Sequence, residues 1–345
     1  MDKPIVKSST TPVCTICIAN YNGELLLADC IDSVLNQDCT FSFDIIVHDD
    51  ASTDKSLELL ATQYPEVKVI TSQSNVGFCI SNNRMVKEAT GQFILLLNND
   101  AALAPDALKT LHEHATQQPI QGILTLPQYD WESGNLVDRG CLLDPFYNPV
   151  PNKDPSRRDV AMVIGACLWI PRSLWNELGG FPEWFESIAE DMQICCHARL
   201  LGFPVEVPEN SGYRHRQGKS FGGNRSHEGK LQTSFRRRRL SEQNKTFVLT
   251  LCTPLPDLIY LLPLHLLALL AEGTILSLIK MDYRILTDIY ANTPVSLVKN
   301  IKTIRTTRKS IQRSKTITAK TYRKTFNITP RKITMLIDFG LPRIH

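Results

Sequence analysis

The sequence predicts a doubly wound α/β domain with a mostly parallel sheet, followed by a helical, basic C-terminal region. Three observations predict it. Short apolar runs alternate with helix-period stretches from residue 13 onward, the runs are apolar on both faces, and polar clusters recur where the runs end. Strands apolar on both faces and separated by single helices imply a parallel sheet covered on both sides. With 43% hydrophobic and 21% charged residues over 345 positions, the composition excludes global disorder and a polytopic membrane protein.

Taken in order, residues 13–19, 43–48, 67–71 and 93–97 read as strands, and 24–36, 54–63 and 78–89 as the helices between them. A helix over 105–117 and a strand over 122–126 follow. Residues 129–159 are rich in Pro, Gly, Asn and Asp, and read as an irregular insertion or a hairpin pair. The run 160–170 reads as one continuous apolar strand, 171–178 as a helix with Pro171 at its first position and Gly179–Gly180 as its stop. A helix over 187–201 and a short strand over 203–207 complete this part.

In such a sheet, ligands bind beyond the carboxyl ends of the strands, which makes it a nucleotide-binding architecture. The polar clusters sit there: Asn20, Tyr21 and Asn22, then 49–54, then Asn75 to Gly77, then Asn98 to Asp100. Adjacent carboxylates such as Asp49 and Asp50 are costly at a strand end unless hydrogen-bond donors or cations meet them. Ser52, Thr53 and Asp54 serve as helix caps, but capping does not explain the pair. Asp100 suits a hard divalent cation, which takes one or two carboxylates plus phosphate oxygens, although Asn-Asn-Asp also serves as a turn.

Beyond residue 230 the character changes. Arg236 to Arg239 form a basic run, and 247–279 is apolar but interrupted by Pro254, Pro256, Asp257, Pro263, His265 and Glu272. The longest stretch free of acids and cations, 258–271, contains a Pro and a His, so helices lying in a membrane interface are expected rather than a span. No Asp or Glu occurs between Tyr290 and Ile337, while twelve Lys and Arg do, and such a segment seeks an anionic surface. The ten cysteines lie mostly in apolar runs, where a thiol packs as a small hydrophobe, so a reducing compartment is expected. The polar first residues carry no apolar signal core, so a cytoplasmic body is expected.

The runs CTICIANYNG, IIVHDDASTDKS, NVGFCISNNRMVKEATGQFILLLNND and IGACLWIPRSLWNELGGFPEWFESIAEDMQICCHARLLGF together resemble glycosyltransferase family 2, across about residues 11–220. The resemblance implies the GT-A fold and inversion at the anomeric centre. The expected organisation is a flexible 1–10, a GT-A domain over 11–230 and, from the charge run and the interrupted apolar stretch, a membrane-associating 231–345. Donor-nucleotide residues are then Tyr21, Asn22, Asp49, Asp50, Asn75, Gly77, Asn83 and Asn99. Asp100 is the last member of the family's metal-binding DxD motif, which here begins with Asn98, and the metal is Mg²⁺ or Mn²⁺. Asp191, of the acidic pair, is the base that takes the acceptor proton. Glu190, Arg216 and Lys219 are assigned to the diphosphate or acceptor. His215 lies in a loop similar to one in rhamnosyltransferase-like members, where the His joins the metal.

The expectation is an inverting, metal-dependent glycosyltransferase using dTDP-rhamnose or a UDP-sugar. Its acceptor is a glycan or a polyprenyl-linked glycan, its partner surface an anionic membrane, and it binds no nucleic acid. A sugar-nucleotide nucleotidyltransferase would need a Gly-rich phosphate loop with Arg and Lys after the first strand, where this chain has Asn20-Tyr21-Asn22-Gly23-Glu24. A non-catalytic membrane or nucleic-acid-binding module would explain the basic tail alone.

Overall fold

The structure is a computed structural model describing residues 11–216, 225–227 and 230–344. Its first half alternates as read. The elements are β1 (Cys14–Asn20), α1 (Leu27–Leu35), β2 (Phe43–Asp49), α2 (Ser56–Gln63), β3 (Lys68–Thr71), α3 (Phe78–Glu88), β4 (Phe93–Asn98), β5 (Ala101–Leu103) and α4 (Ala107–Gln117). Short strands follow: β6 (Ile123–Leu124), β7 (Gln128–Asp130), β8 (Leu136–Asp138), β9 (Cys141–Leu143) and β10 (Pro149–Pro151). Then come β11 (Cys167–Pro171), α5 (Arg172–Leu178), α6 (Glu190–Leu200), β12 (Val205–Glu206) and β13 (Tyr213–His215).

The main sheet has seven strands in the order β12-β6-β11-β4-β1-β2-β3. Pairing is parallel among β4, β1, β2 and β3, and β11 runs antiparallel to β4. The register places Asn20 level with Asp49 and Ala19 level with Asn98, so three carboxyl ends finish on one line. Helices α1, α2 and α4 bury Leu27, Ile31, Val34, Leu60, Leu108 and Leu111 on one face. On the other, α3, α5 and α6 bury Met85, Val86, Leu174, Leu178, Ile194 and Leu200. A smaller sheet, β5-β13-β7-β8, stands beside the edge where these ends gather.

Three expectations need correction. Only Cys167–Pro171 of the predicted strand over 160–170 pairs in the main sheet; residues 160–163 are buried instead against the β9–β10 hairpin, where Met162 bonds Cys141. Pro171 closes β11 and caps α5 from outside the helix. Helix α6 starts at Glu190, because Glu186, Ile188 and Ala189 have positive φ of 62°, 73° and 67° and cannot be helical.

The C-terminal region is helical: α7 (Phe235–Cys252), α8 (Leu255–Lys280), a π-helical turn (Ile285–Tyr290), α9 (Asn292–Lys299), α10 (Ile301–Ser314), α11 (Ala319–Tyr322) and α12 (Arg331–Phe339). Phe247, Val248, Leu249 and Leu251 of α7 join the core under α6. Against the expectation of broken interfacial helices, α8 runs 26 residues without a break, carrying Pro263 inside it. By length and composition it can cross a membrane, and only 22% of its most apolar stretch is buried in the protein. Leu255, Ile259, Leu264, Leu267, Ile275 and Leu278 are all more than half exposed.

The basic tail is not uniformly solvent-facing. The Arg308 guanidinium donates to the carbonyls of Thr250, Leu251 and Thr253, capping the end of α7. Arg323 pairs with Asp257, and Lys332 with Glu242 and Glu272. On α10, Lys302, Arg305 and Lys309 are exposed while Ile304 and Ile311 are buried, so this helix has a basic outer face.

Candidate functional site

The carboxyl edge of β1 and β2 is built from side chains that bond one another. Asn20 donates to Asp49 at 2.9 Å and accepts from Asn99 at 2.8 Å, joining the ends of all three central strands. The other Asp49 oxygen accepts the Ser52 N–H at 2.9 Å. Asp50 accepts the N–H groups of Val76 and Gly77 at 2.7 and 2.9 Å. The paired carboxylates therefore have the donors their burial requires, and the donors come from the loops that precede α2 and α3. Gly23 leaves room for this pair, since a Cβ would lie 2.1 Å from Asn20 Oδ1 and 2.4 Å from Asn99 Nδ2 and would push the two amides apart. Asn22 holds the opposite loop by accepting the Thr53 N–H at 2.7 Å. Tyr21 stands 51% exposed above this floor, and Asn75 is exposed beside it.

The second cluster forms because β13 pairs antiparallel with β5, His215 level with Ala101. His215 Nε2 then lies 3.0 Å from Asp100 Oδ1, and Nδ1 lies 3.3 Å from Gln128 Oε1. Gln128 also accepts the Tyr213 hydroxyl at 2.7 Å. With Nδ1–H donating to Gln128, the Nε2 lone pair faces a carboxylate oxygen, an arrangement that calls for a positive centre between them. A proton meets that need, and so does a divalent ion. Among the described residues no three His, Cys, Asp or Glu gather as a metal group, so what they offer an ion here is the Asp100–His215 pair. Two ligands suit an ion that completes its shell with phosphate oxygens and water, and the mixed nitrogen and oxygen set suits Mn²⁺ at least as well as Mg²⁺.

The third cluster is the start of α6. One Asp191 oxygen accepts the Gly165 N–H at 2.9 Å and the other its neighbour Met192 N–H at 2.7 Å. Ala166, next to Gly165, accepts the Asn98 N–H at 3.0 Å. Asp191 is thereby tied to the end of β4, two residues from Asp100. A Cβ at Gly165 would lie 3.6 Å from Asp191 Cβ and 3.9 Å from Phe78, which follows Gly77. Burial pushes the Asp191 carboxyl above its ordinary value, and the N–H groups of Gly165 and Met192 pull it partly back. Burial, with Asp191 beside it, pushes Glu190 up to about 8. Both carboxyls are thus held above their ordinary values, and Glu190 is the one that reaches about 8.

Asn83 requires a correction. Both ends of its amide bond the backbone of Phe181, accepting its N–H at 3.0 Å and donating to its carbonyl at 2.9 Å, so it anchors the turn after α5 and has no polar atom turned toward a nucleotide. Asn99 is 6% exposed and acts through Asn20. Arg216 pairs with Asp29, and its guanidinium stacks 3.8 Å above the Trp131 ring. Lys219 lies outside the described residues. Sequence reasoning missed Gly165, Gln128 and Arg237. Burial lowers the pKa of Arg237, and the charges of Glu190 and Asp191 act the other way, so this cation lies within electrostatic reach of the acidic pair.

Residues 15–179 match the family model described as Glycosyl transferase family 2, a span that ends before Glu190, Asp191 and His215. A chondroitin synthase from Escherichia coli is 30% identical over 189 residues, covering 52% of this chain and 26% of that protein. The chain thus spans about a quarter of that relative's length. An N-acetylglucosaminyl-diphospho-decaprenol L-rhamnosyltransferase from Mycobacterium tuberculosis (strain ATCC 25618 / H37Rv) is 23% identical over 203 residues, covering 50% of this chain and 66% of that one. A mannosyltransferase from Pyrobaculum calidifontis, solved with GDP-Man and Mn²⁺, superposes with a TM-score of 0.50 at 17% identity, over 89% of this chain and 86% of the other. That likeness is one of fold, and the fold is GT-A.

Proposed function

We propose that this chain, a glycosyltransferase of family 2, transfers a sugar with inversion from a nucleotide-diphosphate donor to a glycan hydroxyl at the carboxyl edge of its sheet. The observation that carries this reading is a pair of hydrogen bonds, from the Asn98 N–H to the Ala166 carbonyl and from the adjacent Gly165 N–H to Asp191, which tie that carboxylate to the strand end that carries Asp100 and its partner His215. In this reading Asp191 takes the proton of the acceptor hydroxyl. The acceptor oxygen attacks the anomeric carbon as the bond to the diphosphate breaks on the opposite face. Glu190, largely protonated at pH 7, adds a hydrogen-bond donor without a second negative charge. Asp100 and His215 hold Mg²⁺ or Mn²⁺, which when bound neutralises the diphosphate. Tyr21, Asn22, Asp49, Asp50, Asn75 and Gly77 frame the nucleoside, and Arg216 is assigned to the diphosphate.

The donor is dTDP-rhamnose or a UDP-sugar, supported by the His215 loop and by the rhamnosyltransferase relative. The acceptor is lipid-linked and the pathway is cell-surface polysaccharide synthesis. The chain works at the cytoplasmic face of a membrane, a reading supported by the apolar surface of α8 and the basic face of α10. Nucleoside diphosphate release is the test, from dTDP-rhamnose, UDP-glucose, UDP-N-acetylglucosamine and GDP-mannose, with a polyprenyl-diphosphate acceptor in anionic vesicles. One donor turns over, and the protein sediments with the vesicles. Turnover of none of the UDP- or dTDP-sugars contradicts the donor class, and protein left wholly in the supernatant contradicts the membrane assignment.

A further inference from the structure

Asn244 lies on α7 and is fully buried. Its side-chain nitrogen lies 2.9 Å from three carbonyl oxygens, those of Phe185, Ser187 and Ile188, so its two N–H groups serve all three with one hydrogen shared. These belong to the segment leading into α6, where Glu186, Ile188 and Ala189 all hold left-handed backbone, which non-glycine residues adopt at a cost. Such a run persists only where its surroundings over-determine it. The segment ends at Ala189, whose carbonyl accepts the Gln193 N–H at 3.0 Å in the first turn of α6, immediately around Glu190 and Asp191. At its other end the Glu186 carbonyl accepts the Cys79 N–H at 3.3 Å, at the start of α3, beside the Gly77 N–H that holds Asp50.

We infer that Asn244 is a positioning residue for the reaction: by tying three carbonyls of the left-handed segment, it fixes where α6 begins and so where Asp191 points. The inference rests on the reading of Asp191 as the base. An amide suits this position because the Phe185 carbonyl is buried, those of Ser187 and Ile188 are partly buried, and all three accept from it. Alanine removes these donors, leaving Phe185 only its bond from the Ser187 N–H, and aspartate sets an acceptor against acceptors. Asn244 bonds carbonyls at 185, 187 and 188, next to Asp191, and reaches the nucleoside residues only at second hand, through the 3.3 Å bond from the Cys79 N–H to the Glu186 carbonyl, so its loss falls first on the proton-accepting step.

The test compares Asn244→Ala, Asn244→Gln and Asp191→Asn in the full chain, measuring kcat, donor KM and the pH profile of kcat. Asn244→Ala lowers kcat by about 10- to 100-fold, the scale of a small misplacement of a catalytic group. Donor KM stays within about threefold, and the acid limb of the kcat profile moves. Asn244→Gln keeps the donors and recovers part of the loss. The inference is overturned if Asn244→Ala keeps kcat and the acid limb of wild type, if kcat and donor affinity fall together, or if neither Asn244 variant folds. The two readings separate cleanly. Full transfer by Asp191→Asn removes the base and this inference with it, whereas an inactive Asp191→Asn beside a normal Asn244→Ala removes the inference alone.

Discussion

Asp191→Asn lowers the turnover of sugar transfer by about 10²- to 10⁴-fold, the usual contribution of a positioned general base, while the affinity for nucleoside diphosphate stays within about twofold. The amide preserves shape and can still meet one of the two N–H groups that hold the carboxylate, so the start of α6 survives the change. It cannot accept a proton. In the wild-type enzyme Asp191 must be ionised to act, and burial places its pKa above the ordinary carboxylate range. Turnover therefore rises with pH through that elevated value and falls away below it. Glu190 runs the other way: with its value near 8 it is protonated over the same range, so Glu190→Gln leaves the acid limb in place and removes a titration near pH 8. Steady-state kcat against pH for the three proteins, with nucleotide binding measured in parallel, checks both statements.

Glu242→Ala destabilises the folded chain by about 3–5 kcal/mol, as expected for a charge network broken from one side. Glu242 is 1% exposed and meets Lys245 at 2.7 Å, Lys332 at 2.8 Å and Arg238 at 3.1 Å. Arg238 and Lys332 also reach Glu272 on α8, so one carboxylate ties α7, α8 and α12 together. Burial alone would raise its pKa, yet Lys245, Lys332 and Arg238 hold it well below the ordinary value. The folded pKa is depressed, so this contribution is present above the unfolded value of 4.5 and is lost as pH falls through the folded one. Chemical denaturation at pH 7 and pH 4 measures it: the gap between wild type and variant is wide at pH 7 and narrower in acid.

The parallel half of the sheet was legible because each strand is a short apolar run and each helix has a 3.6-residue stripe. The carboxylates Asp49, Asp50 and Asp100 were legible for the same reason, since a strand's last residue marks where its loop must gather. Residues 160–163 misled because an apolar run reports burial and not pairing, and here the preceding β9–β10 hairpin folds back to cover it. The start of α6 misled because left-handed Glu186, Ile188 and Ala189 carry no glycine signal. Asn83 looked like a nucleotide ligand in its helix, but its partner Phe181 lies 98 positions away. Gly165, Gln128 and Asn244 also act through contacts remote in sequence, 26, 87 and 59 positions away, and no local pattern announces them. The tail's positive charge was plain in the sequence, while its division between Arg308 capping α7 and Lys302, Arg305 and Lys309 facing outward depends on packing.

The central claim, a nucleotide-diphosphate site built around Asp100 and His215, is tested most directly by calorimetric titration of UDP, dTDP and GDP in Mn²⁺ and in EDTA. Wild type and Asp100→Ala are titrated side by side. The structure predicts that at least one nucleotide binds wild type in Mn²⁺, and that this binding weakens by tenfold or more, about 1.4 kcal/mol, in EDTA and in Asp100→Ala. Equal binding with and without the ion and with and without the carboxylate, or no binding of any nucleotide, would contradict it.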